Sequence, residues 1–140
     1  MRWHDRAGYT IGNMSKLHSF LRTWGPSLLM MAIIFGFSSI PSKEMPHFGL
    51  ADFLFKKGGH ATGYALLALA NMRALGWQRK RWPLAWLLAV IYSATDEFHQ
   101  SFVPGRTPAL MDVGIDAFGA ALGLLLWGLW QKVESRKSRK

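Results

Sequence analysis

The sequence predicts an all-α integral membrane bundle of four transmembrane helices with both termini cytoplasmic. Three observations carry that expectation. Four apolar runs can be extended to the roughly 17 to 20 helical residues that cross about 30 Å of hydrocarbon. Basic residues gather at one end of those runs and most acidic residues at the other. Half of the 140 residues are hydrophobic, including seven Trp and nine Phe, a composition suited to contact with lipid. The mean hydropathy of +0.08 hides this pattern, because it averages basic ends with an apolar middle.

The first run, Trp24 to Ile40, carries no charge. Pro26 suits a first helical turn, and Pro41 and Pro46 would end the helix. A basic segment, residues 1–23, precedes it. The run exceeds the roughly 7 to 15 residues of a signal core, so it reads as a retained span. A cleaved leader and a start at Met14 are the alternatives.

The second run extends from about Lys57 to Trp77, with Arg73 near enough to its end to reach the headgroups. The third opens at Pro83 and stays apolar or small only to Thr95. At about 1.5 Å per residue that is too short to cross, so the helix must continue through Asp96, Glu97, His99 and Gln100 to about Phe102. The fourth, Ala109 to Trp130, places Asp112 and Asp116 in its first two turns and no charge thereafter. The expected organisation is thus a basic segment at 1–23, a bundle at 24–130 and a basic tail at 131–140.

Orientation follows from the distribution of Lys and Arg. Thirteen fall in the N-terminal segment, the 73–81 turn and the tail, against four (Lys43, Lys56, Lys57 and Arg106) on the other side. Both termini and the Gln78 to Trp82 turn are therefore expected in the cytoplasm, in a multi-pass protein of the inner (plasma) membrane. The formal charge of +9 does not point to nucleic acid, because the basic residues sit between apolar runs and not on a polar surface. No Cys is present, which excludes disulfides, thiolate metal sites and a cysteine nucleophile. A soluble bundle with basic tails fits the four uncharged cores less well than a bilayer does.

Ionisable groups within hydrocarbon are expensive, so they normally face the bundle interior and pair with one another. Lys57, His60 and Tyr64 follow i, i+3, i+7 spacing and share one helix face. Asp96 and Gln100 are four apart, as are Asp112 and Asp116. Glu97 points about 100 degrees away from Asp96 on an ideal helix, so one of the two should face the cluster and the other a neighbouring helix or the interface. Asp96, Glu97, Asp112 and Asp116 against Lys57 and Arg106 leave a net charge of minus two if all are ionised. A bound cation, a retained proton, a protonated His60 or His99, or exposure to water would offset it. Oxygen-rich ligation with one imidazole would suit a hard divalent cation, although no tight ligand motif is present.

The contrasting interpretation is a network of salt bridges and hydrogen bonds that fixes helix register without any ligand. His99 alone reads as an interfacial histidine, and Asn71 as a simple polar contact. Gly119 and Gly123 form a G-x-x-x-G, which favours close helix packing. Trp24, Trp77, Trp82, Trp127 and Trp130 read as interfacial anchors.

These residues resemble those of the VanZ-like family of small bacterial membrane proteins. Lys57, His60 and Tyr64 match the family's lysine, histidine and tyrosine at the same spacing. The block from Asp96 to Arg106 is similar to its D-E-x-x-Q-x-F-x-P-x-R, and the block from Asp112 to Gly119 to its D-x-x-x-(N or D)-x-x-G. Phe37, Ser38 and Ser39 resemble the serine pair that often closes the first span. Lys56 departs from the pattern, since members often carry Asp there. The resemblance covers about residues 30 to 126. It implies a cell-envelope protein, and the family's namesake is associated with resistance to the lipoglycopeptide teicoplanin.

The expected function is binding, and in one version modification, of a lipid-linked or amphiphilic envelope molecule by the outward-facing cluster. In the enzymatic version Glu97 or Asp96 is general base or metal ligand and His60 acid/base, while Lys57 and Arg106 clamp an anionic headgroup. Tyr64, Gln100, Asp112 and Asp116 complete the binding set. No nucleophile motif accompanies them; Ser101 precedes no recognised elbow. A non-catalytic scaffold and a small carrier are the alternatives, and the partners expected are the bilayer and the amphiphile.

Overall fold

A computed structural model describes the backbone of residues 3–41 and 50–139, and the side chains of 15–41 and 57–139. Among these residues the protein is all-helical: α1 (Trp3–Ser38), α2 (Leu50–Ala74), a 3-10 turn (Arg79–Arg81), α3 (Trp82–Gln100) and α4 (Leu110–Lys137). Lys43, Glu44 and Pro46, and the side chains of Asp52 and Lys56, lie outside the described residues.

Helix α2 is the hub and packs against the other three. Its closest neighbour is α4, and the sequence explains why. Gly119 lies directly on the Ala61 backbone, where a Cβ would collide, and a Cβ at Gly123 would stand 2.9 Å from that of Ala65. Small residues four apart on both helices let the backbones approach, so the G-x-x-x-G is the packing face it was expected to be. Leu67, Ala68, Met72, Ala89, Ala120 and Leu124 fill the core around this contact.

Helix α1 departs from expectation. It begins at Trp3, not Trp24, and runs through Pro26 without stopping. A proline inside a helix leaves the carbonyl four residues earlier without its donor. That carbonyl belongs to Arg22, and Arg73 of α2 donates to it from Nη1 at 3.1 Å and to the Thr23 carbonyl at 3.2 Å. The neighbouring helix thereby offsets the defect, which is how membrane helices tolerate proline.

Helix α2 likewise starts earlier than Lys57 and ends at Ala74 instead of Trp77. Gly76 (φ 77) and Trp77 (φ 56) take left-handed conformations and terminate it. The Trp77 N–H donates to the Met72 carbonyl at 2.9 Å. A left-handed Trp is unfavourable, and stacking of its ring on Trp127, with centroids 4.7 Å apart, opposes that cost. Trp82 tilts against Trp127 at 6.0 Å, and Gly128 leaves room for it. Trp77, Trp82 and Trp127 thus form one aromatic knot, because the turn between α2 and α3 folds them onto α4.

Helix α3 opens with Pro83 in its first turn and ends two residues before the expected Phe102. Helix α4 continues past Trp130 to Lys137, so most of the expected tail is an exposed helical extension. Arg136 and Lys137 in its last turn complement the helix dipole.

Two described helices, Ser15–Ser38 and Leu110–Lys137, are long and apolar enough to cross a membrane. Only 11% and 33% of their apolar windows are buried within the bundle. Large apolar side chains such as Leu29, Phe37, Leu125 and Leu126 therefore face outward, as lipid contact requires and a water-exposed surface disfavours. This surface is consistent with a membrane protein.

Candidate functional site: a buried polar cluster

Ser93, Asp96, Glu97 and Gln100 recur at i, i+3, i+4 and i+7 along α3, so one face of this otherwise apolar helix is polar. All four are buried, and the face points into the bundle. The two acids diverge, as their angle predicts, toward different neighbouring helices, and both stay buried because helices flank the face on either side.

Asp96 turns toward α1. The Ser38 hydroxyl donates to its Oδ2 at 2.6 Å, across 58 residues of sequence. Glu97 turns toward the start of α4, where its Oε2 accepts the Ala109 N–H at 3.0 Å. That bond satisfies a backbone donor left open at a helix N-terminus and sets a carboxylate against the positive end of the dipole. Gln100 ties the two acids together through Nε2, at 3.1 Å from Asp96 Oδ2 and 3.2 Å from Glu97 Oε1.

Asp116 enters from α4 and is 1% exposed. Ser93 donates to its Oδ2 at 2.7 Å, while its Oδ1 faces His60 Nδ1 at 3.9 Å. One turn further along α2, the Tyr64 ring lies parallel to His60 with centroids 6.4 Å apart and meets Tyr92 at 6.3 Å. The Tyr92 hydroxyl donates to the Met31 carbonyl at 2.7 Å and so joins α1 to α3. Lys57 forms an ion pair with Asp112 at the half-exposed edge of the cluster.

Arg106 lies in the loop before α4. It donates from Nε to the Ile40 carbonyl at 3.2 Å and from Nη2 to that of Phe37 at 3.1 Å, closing the open end of α1. His99 stacks on Phe35, with centroids 4.3 Å apart, and its Nε2 lies 3.1 Å from Ser39 Oγ. Ser39 Oγ also lies 2.7 Å from the Phe35 carbonyl, to which it can donate.

Contacts thus join eight of the nine expected site residues in sets on α2, α3 and α4: Lys57 with Asp112, Gln100 with Asp96 and Glu97, and His60 with Asp116 and Tyr64. Arg106 stands at the α1 end of the same group. Ser38 and Ser93 were absent from the expected set. Ser93 had a signal, since it lies three residues before Asp96 on the same face. Asn71, at the far end of α2, meets only the Ala85 carbonyl at 3.4 Å.

Three buried polar atoms of the cluster have no hydrogen-bond partner among the described residues: Tyr64 Oη, Asp96 Oδ1 and Asp116 Oδ1. Tyr64 and Asp96 are 0% and 3% exposed, so bulk water does not supply the missing bonds. Among the described residues no group of three or more His, Asp or Glu side chains is arranged to hold a metal ion.

Fold and site together define a small helical protein with a lipid-compatible exterior and an acidic polar interior near one end. The chain belongs to the VanZ-like family: the family model described as VanZ/LLP1 matches residues 10–131. That match extends beyond the span carried by the motifs at both ends. No curated protein and no solved structure matches the chain.

Proposed function

We propose that the chain is a four-span protein of the inner membrane of the cell envelope, with both termini in the cytoplasm. In this reading residues 24–130 form the membrane domain between a basic segment at 1–23 and a basic tail at 131–140. The polar cluster sits near the outer face and receives the polar head of a lipid-linked or amphiphilic molecule. The observation that carries this reading is the set of three buried, unpartnered atoms, Tyr64 Oη, Asp96 Oδ1 and Asp116 Oδ1, contributed by three helices. An unpaired buried polar group costs about 1 to 3 kcal/mol, so a ligand that supplies the missing bonds is stabilised by the groups it satisfies.

Family membership supports an envelope role, and lowered susceptibility to teicoplanin is one consequence of altering an envelope amphiphile. A catalytic version uses the same contacts, with Asp96 or Glu97 as base and His60 as acid/base. A ligand-free network that only fixes register is favoured by the interhelical bonds Ser38–Asp96 and Ser93–Asp116; it leaves the open atoms without a purpose.

Expression of the full chain in a glycopeptide-sensitive bacterium that lacks a relative tests the reading. Wild type should lower teicoplanin susceptibility, and Asp116→Asn should remove the effect while membrane insertion persists. Photoreactive lipids in vesicles should label peptides carrying Tyr64, Asp96 or Asp116. Unchanged susceptibility together with labelling only on outward-facing apolar residues would leave the register network as the better account. Glu97→Gln separates binding from turnover, since labelling should survive it and any chemical conversion should not. Because the chain has no native Cys, single cysteines at Gly105 and Gln78 test topology. The first should react from outside and the second only from inside.

A further inference from the structure

We infer that the buried centre of the cluster takes a primary ammonium group carried on an amphiphile, and not a phosphate or carboxylate. This rests on the amphiphile reading above and narrows it to a chemical class.

Each open atom is an acceptor or can act as one. Asp96 uses Oδ2 for both Ser38 and Gln100, leaving Oδ1 open. Asp116 uses Oδ2 for Ser93 and keeps Oδ1 open. Tyr64 Oη lies beside Ser93, outside bonding geometry, and within the field of both aspartates. Two carboxylate oxygens and a phenol oxygen match the three donors of an ammonium group. A quaternary ammonium has no hydrogen to offer them.

An anion fits poorly for the same reasons. Its oxygens would meet two carboxylates, and like charges in a buried site repel strongly. The two cations of the region among the described residues already have acid and carbonyl partners at its rim: Lys57 with Asp112, and Arg106 with the Phe37 and Ile40 carbonyls. His60 does not replace the ligand, because its Nδ1 stands 3.9 Å from Asp116 Oδ1, beyond hydrogen-bond reach. If all are ionised, four carboxylates against the two described cations, Lys57 and Arg106, make the group net negative, and one added ammonium reduces that imbalance.

The test uses the full chain in phosphatidylcholine vesicles with three photoreactive probes: phosphatidylethanolamine, its N-acetyl derivative, and phosphatidylglycerol. Cross-links are mapped to peptides containing Tyr64, Asp96 and Asp116. The N-acetyl probe keeps the phosphate and both chains and removes only the ammonium charge. Charge-assisted bonds to a buried carboxylate correspond to roughly tenfold or more in affinity, so the amine probe should label the cluster roughly tenfold more than the other two. Asp116→Asn should erase this preference. Tyr64→Phe, which removes a single oxygen and preserves the ring packing, should reduce it.

Equal labelling by the amine and N-acetyl probes, or stronger labelling by phosphatidylglycerol, overturns the inference and leaves the amphiphile site standing. Labelling of the cluster by none of the three removes both. In detergent without lipid, thermal stabilisation by sodium chloride but not choline chloride, with no response to dodecylamine, would assign the centre to an inorganic cation and overturn the inference. The wild-type comparison stands even if a variant fails to fold.

Discussion

The two ends of the bundle are closed in different ways. Where α1 finishes, closure depends on directional bonds: Ser38 to Asp96, Gln100 to two acids, and Arg106 to the last carbonyls of α1. Where α2 turns into α3, closure depends on ring packing, with Trp127 set between Trp77 and Trp82 and Arg79 over the Trp82 face at 5.4 Å. Stacked rings leave little unspent bonding capacity; among the described residues the unpartnered buried atoms outside the polar cluster are Ser27 Oγ and Trp82 Nε1, neither of them charged. The polar end leaves two carboxyl oxygens and a phenol oxygen open. Under the proposed function, stability and binding capacity are drawn from opposite ends of one small fold.

This division can be broken from the middle. Gly119→Leu places a side chain into the Ala61 backbone and should separate α2 from α4 along their whole contact. A loss of about 3 kcal/mol or more is expected, read as a failure to express or a large drop in thermal unfolding temperature in detergent. Both ends should suffer; survival of either one intact would show that the ends do not share the α2–α4 seam.

Trp127→Ala should come next, at about 3 kcal/mol from lost ring packing. Lipid-probe labelling of the cluster should persist in the folded fraction, and its loss would mean that the aromatic end also shapes the site. Ser93→Ala should cost less stability, about 2 kcal/mol, by stripping a donor from buried Asp116. Its effect on labelling should nevertheless exceed that of Trp127→Ala. If the ranking is reversed, the separation of roles between the ends fails. The smallest change is Arg73→Gln, at about 1 kcal/mol, measured by unfolding alone.

Much of the site was legible because helical spacing is local information. Lys57, His60 and Tyr64, the α3 stripe and the G-x-x-x-G each lie within a few turns of one helix, and period alone predicts a shared face. The missing parts depended on distant partners. Pro26 reads locally as a helix start; Arg73, 51 residues on from the Arg22 carbonyl that the proline leaves open, lets the helix pass through it. The divergence of Asp96 and Glu97 was readable from their angle on the helix, but not that α1 and α4 are the helices they meet. Ser38 carries no sign that its partner lies 58 residues on. The extension of α4 past Trp130 was hidden by its charge, which marks a change of surroundings and not the end of a helix.

The bond between Arg73 and the Arg22 carbonyl makes positions 26 and 73 interdependent. With Ala at 26 the helix would supply its own donor to that carbonyl, and a change at 73 would then matter far less. A double-mutant cycle on Pro26→Ala and Arg73→Gln should therefore return a clear coupling energy. Across relatives, the two positions should be inherited as a pair: a lineage that sheds its proline relieves its arginine of a duty and leaves that site free to drift.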